Sequence, residues 1–119
     1  MRTEAQYLQD IIEAADAVER FLRGQSEESF CTQEILNAAV MQKLMVVGEA
    51  VVHLSPALQA KYPHIPWPQI RGFRNLVVHS YFHVNWKIIW TTATVDLPLL
   101  RVEVRQVLQE EYPDFPAAS

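Results

Sequence analysis

From Ser29 to Leu54 the chain reads SFCTQEILNAAVMQKLMVVGEAVVHL, and the reading of this stretch decides the fold. Phe30, Ile35, Leu36, Ala39, Val40, Leu44, Val47, Ala50, Val51 and Leu54 recur at the three- and four-residue spacing of an α-helix. Met41, Met45, Val46 and Val52 widen that stripe past a single face. A helix that is apolar nearly all round is central to a bundle or buried against a partner. The spacing predicts one helix from near Ser29 to about Leu54. Gly48 lacks a side chain where another backbone could come close, at about 1 kcal/mol of helix propensity. Glu49, a charge among apolar neighbours, either faces outward or pairs with Arg74 or Arg71.

Working outward, Thr3 and Gln6 form a capping box that opens a first helix. Leu8, Ile11, Ile12, Ala15, Val18 and Leu22 are its apolar stripe, and Gly24 stops it. Downstream, Ser55-Pro56 ends the central helix and starts a short helical turn through Tyr62. Pro63, Pro66 and Pro68 mark an irregular stretch, with Pro68 suited to the first turn of a helix from about Trp67 to Val78 or beyond. Asn85 caps a further helix containing Trp86, Ile88, Ile89, Trp90 and Ala93. Asp96 with Pro98 then resets the chain at a new N-terminus, and Leu97, Leu100, Val104, Val107 and Leu108 carry the last helix. Tyr112 to Ser119, with two prolines, reads as a loose tail. No stretch reads as a strand. The expected fold is all-α, an up-and-down four-helix bundle with a short fifth helix if the chain breaks at Asp96.

A length of 119 residues suits a single domain, half apolar and with only three glycines. A formal net charge of −4 leaves no general basic footprint for nucleic acid, so any such contact must be local, around Arg71 and Arg74. Cys31 stands alone, which excludes an intramolecular disulfide and a cysteine-based metal cage and fits a cytoplasmic protein. Met1-Arg2-Thr3-Glu4 leads into an amphipathic helix rather than a signal peptide, and no run approaches the ~18 apolar residues of a membrane span. The surplus apolar surface of the central helix suggests a homodimer.

The chemistry collects in Arg71-Gly72-Phe73-Arg74-Asn75-Leu76-Val77-Val78-His79-Ser80-Tyr81. On a helix advancing about 100° per residue, Arg71, Arg74, Asn75 and His79 share one side and Ile70, Phe73, Leu76 and Val77 the other. Arginine is a permanent cation suited to phosphate, and histidine exchanges a proton near neutral pH. Together with an amide they suit phosphoryl transfer without a metal. An ideal helix sets Arg74 and His79 about 140° apart, so either the helix unwinds near His79 or a second copy of the stretch completes the site.

Arg74-Asn75-Leu76-Val77-Val78-His79-Ser80-Tyr81 has the R-N-x-x-x-H-x-Y form of the HEPN-domain ribonuclease signature. The chain resembles the HepT-type toxins of that superfamily. The likeness extends to Gly48-Glu49-Ala50, Pro66-Trp67, Trp90 and Asp96-Leu97-Pro98. It implies a toxin that cleaves RNA without a metal, by attack of the ribose 2′-hydroxyl on the neighbouring phosphate. In that reading His79 is general base or acid, Arg74 stabilises the phosphorane, and Asn75 and Arg71 position the substrate. Glu49 has a supporting place, and Tyr81 is the acceptor of AMP from a partner minimal nucleotidyltransferase antitoxin. No cofactor is implied.

Other sites are weaker. His79 and His83 have the spacing of two metal ligands on a helix, but Ser80 stands where a zinc protease needs glutamate, so no metal site is expected. His53 and His64 read as surface or helix-end histidines, and Trp67, Trp86 and Trp90 as packing residues rather than base platforms. Two rival functions remain: a non-catalytic helical module that binds a nucleotide or protein, and a neutralising partner of a toxic nucleotidyltransferase.

Overall fold

The computed structural model describes residues 1–75 and 84–116. Among them the regular structure is entirely helical: α1 (Glu4–Leu22), α2 (Glu27–Cys31), α3 (Glu34–Val52), α4 (Pro56–Lys61), α5 (Trp67–Arg71), a 3-10 turn (Gly72–Asn75), α6 (Trp86–Thr91), a π turn (Thr92–Asp96) and α7 (Leu97–Glu111). The fold is the all-α bundle expected. In α1, Thr3 and Gln6 form the predicted box, each side chain bonding the other's backbone N–H. Gly24 has φ +78°, and with Gln25 N–H donating to the Leu22 carbonyl it turns the chain after α1.

The single helix expected from Ser29 to Leu54 is instead two. Ser26, not Ser29, caps α2 in a reciprocal box with Ser29. Thr32 leaves helical geometry at φ −103°, ψ 0°, and α3 restarts after Gln33. Buried Asn37 bridges the break, its side-chain amide donating to the Phe30 carbonyl at 3.0 Å. The bend carries Phe30 into the core against Trp86 and Trp90. It leaves Ile35, read above as a core residue, 88% exposed.

α3 is the centre of the molecule. Val40, Met41, Leu44, Val47, Ala50 and Val51 are buried, in one core with Leu8, Ile11, Ile12 and Val18 of α1 and Leu97, Leu100, Val104 and Val107 of α7. With a mean hydropathy of 1.5, α3 is by length and composition apolar enough to cross a membrane, against the expectation that no segment would be. In this fold it is the core helix of the bundle, with 44% of that apolar stretch buried against the other helices. Trp67 is buried and donates its indole N–H to the Gln59 and Tyr62 carbonyls.

At the C-terminal end the predicted reset at Asp96 does not occur. Asp96 has helical angles (φ −73°, ψ −42°) and no capping bond from its side chain. The chain runs through it from α6 to α7, and the Leu97 N–H reaches back five residues to the Thr92 carbonyl. Pro98 cannot donate, and its ring crowds the carbonyl four residues earlier; a π turn just upstream absorbs both defects without ending the helix. The tail is also tied down at its start. Tyr112 donates to Glu4 at 2.8 Å, and Phe115 packs on the core.

Candidate active site

The Arg-Asn stretch is placed by the missing side chain of Gly48. A Cβ there would lie 2.6 Å from the Arg74 nitrogen, 3.0 Å from the Ile70 oxygen and 3.1 Å from the Phe73 Cβ. The backbone of α5 and its 3-10 turn therefore lies directly on α3, as the isolated glycine suggested. Ile70 is buried in this contact, while Arg71, Arg74 and Asn75 face solvent. The continuous α-helix expected from Trp67 tightens into 3-10 geometry at Gly72. His79, Tyr81 and His83 lie outside the described residues.

Glu49 faces outward and also pairs with an arginine, so the two readings of it hold together. Its Oε2 lies 3.2 Å from Arg74 Nε. Its Oε1 lies 3.2 Å from Nε2 of His53, one turn further along α3. Both ends of the Arg74–Glu49 pair are about half exposed, so the contact is worth about 0–1 kcal/mol of stability and serves mainly to orient. Engagement through Nε leaves the outer guanidinium nitrogens without a partner among the described residues. A shallow cavity of about 240 Å³ adjoins, lined by Gln42, Met45, Val46, Glu49 and Arg74. A fixed cation at the rim of a groove, aimed outward by a carboxylate behind it, can meet a phosphate oxygen.

Two residues linked to this cation through Glu49 have no clear mark in the sequence. His53 was read as an ordinary helix-end residue, although its spacing of four from Glu49 on one helix was visible. Tyr7 had no local signal, because α1 brings it in from the far end of the chain. Its ring stacks on His53 at 4.5 Å between centroids and 7° between planes. Among the described residues no group of three or more histidine, cysteine or acidic side chains is placed to hold a metal ion.

A helical bundle whose central helix seats an Arg-Asn turn on a bare glycine defines a class, and comparison with known proteins agrees with it. A family model described as "Ribonuclease HepT-like" matches residues 11–115. The chain belongs to the HepT-like ribonuclease family. A candidate RNase of Caldanaerobacter subterraneus subsp. tengcongensis is 34% identical over 93% of this chain and 99% of its own length. A candidate RNase of Methanocaldococcus jannaschii is 32% identical over 87% of this chain and 86% of its own. A Thermococcus cleftensis protein named probable ribonuclease HepT is 32% identical over 84% and 91%. No solved structure matches the chain.

Proposed function

We propose that this protein is the toxin of a toxin–antitoxin pair and a metal-independent endoribonuclease. The observation that carries the reading is Arg74, seated by Gly48, backed by Glu49 and open on its outer edge, at the head of an R-N-x-x-x-H-x-Y motif. Arg74 stabilises the charge that gathers on the phosphorane oxygens. His79 takes the proton of the attacking 2′-hydroxyl or returns one to the departing 5′-oxygen, since an ordinary imidazole can do either near neutral pH. The new bond joins the 2′-oxygen to phosphorus and the phosphorus–5′-oxygen bond breaks, leaving a cyclic phosphate and a 5′-hydroxyl. Asn75 and Arg71 position the phosphate.

Tyr81 is the proposed acceptor of AMP from a nucleotidyltransferase antitoxin. An adenylate close to Arg74 in the chain would occupy and repel where RNA phosphate binds. A homodimer in the cytoplasm completes the reading. Ile88, Val95, Leu99 and Val102 are exposed on the C-terminal helical run, an apolar surface suited to a second copy, and sedimentation of the purified protein as a monomer would remove this element.

The test of the activity is cleavage of labelled RNA in EDTA by the parent, Arg74→Ala and His79→Ala. Cleavage by the parent, reduced at least about a hundredfold in each variant, is the expected result. Equal cleavage by all three would assign the activity elsewhere.

A further inference from the structure

Arg74, Glu49, His53 and Tyr7 form one connected row across the ends of α1 and α3. Glu49 holds Arg74 with one carboxylate oxygen and His53 with the other, so cation and imidazole are separated by a single carboxylate. Tyr7 covers one face of the imidazole. Arg2 lies over the Tyr7 ring, 5.7 Å from its centroid, and is itself bonded to Asp10. His53 keeps 43% of its side chain exposed; since Tyr7 covers one face and Nε2 is turned to Glu49, we assign that exposure to the opposite face and the Nδ1 edge.

We propose that this free face of His53 is a stacking platform for a nucleobase of the RNA, next to the phosphate met by Arg74. The proposal rests on the nuclease reading and deepens it. A single strand is bound without sequence preference where cations follow the phosphates and flat side chains receive the bases. The row supplies a guanidinium for the phosphate and, one carboxylate away, a ring for the base. Glu49 keeps the local positive charge low, so the base contributes through stacking on a ring that Tyr7 already holds flat. A pre-set ring loses little freedom when the base arrives.

The probe is a single-stranded RNA oligonucleotide, 2′-O-methylated throughout so that binding is measured without cleavage, followed by fluorescence anisotropy. His53→Gln keeps a polar reach toward Glu49 and removes the ring. His53→Phe keeps a ring and removes the bond to Glu49. The platform predicts binding about tenfold weaker in His53→Gln and within about threefold of the parent in His53→Phe. Parent-like binding by His53→Gln overturns it. So does an equal loss in both variants, which would reduce His53 to a support for Glu49. A parent that binds this probe but leaves unmodified RNA intact would defeat the nuclease reading and keep the platform. A parent that binds no RNA defeats the platform itself.

Discussion

At the scale of single residues, Gly48 and Gly72 look alike in the sequence and do different things. A methyl at Gly48 would press on the Arg74 nitrogen and the Ile70 oxygen, while one at Gly72 meets nothing within 4 Å. Gly48→Ala gains about 1 kcal/mol of helix propensity but must push a backbone aside, an overpacking cost of about 1–3 kcal/mol. It should therefore lower the urea midpoint and weaken RNA binding by displacing Arg74. Gly72 has φ −62°, open to any residue, so Gly72→Ala should leave the midpoint unchanged or raise it. Similar behaviour of the two variants would refute the seating of the Ile70–Arg74 backbone on α3. The need for a bare position on the central helix was legible, since glycine is costly there without a reason. The stacking of Tyr7 on His53 was not, because no local pattern links residues so far apart.

At the scale of elements, the capping signals at Thr3, Ser55 and Asn85 are legible in the sequence, while the cap at Ser26 and the boundaries decided by packing are not. Thr3 and Asn85 cap as expected, and Ser55 caps the short helix expected to start at Ser55-Pro56, each side chain accepting a backbone N–H in the first turn. The break between α2 and α3 depends instead on buried Asn37 reaching the Phe30 carbonyl, a contact that helical periodicity hides. Asn37→Leu should leave that carbonyl unsatisfied and cost about 1–3 kcal/mol in denaturant unfolding. A neutral or stabilising result would mean the break needs no such bridge. Asp96-Leu97-Pro98 carries every sign of a new helix start, and yet the helix continues, because a π turn accommodates the proline. Sequence signals of this kind state what a residue tolerates, and here the surrounding core chose among the tolerated outcomes.

At the scale of the whole molecule, polar ties hold the helices at their ends and make stability depend on pH. Lys61 and then Tyr62 hold the Glu111 carboxyl below its ordinary value, and Arg101 of α7 does the same to Glu19 of α1. A lowered carboxylate contributes stability above its unfolded value and loses it as pH falls through the folded one. The urea midpoint should therefore drop as pH falls below about 4.5, and Glu19→Gln with Glu111→Gln should flatten that drop. An unchanged slope in the double variant would show that these ties are not the acid-sensitive ones. Tyr62 shows the opposite sign. Burial, then the Glu110 and Glu111 carboxylates that its hydroxyl faces, push it well above the ordinary phenol value. Its contribution is complete below that ordinary value and disappears only as pH rises through the raised one, so neutral and mildly alkaline conditions should leave this end of the fold intact.

Under the proposed function the chain cuts RNA by turning the substrate's own 2′-hydroxyl on the adjacent phosphate. The most direct measurement replaces one ribose at a mapped cleavage site with 2′-deoxyribose and identifies the ends formed elsewhere by mass spectrometry. The expected result is no cut at the deoxy linkage, with cyclic phosphates and 5′-hydroxyls at the remaining cuts. Cleavage at the deoxy linkage, or ends carrying 5′-phosphates, would contradict it.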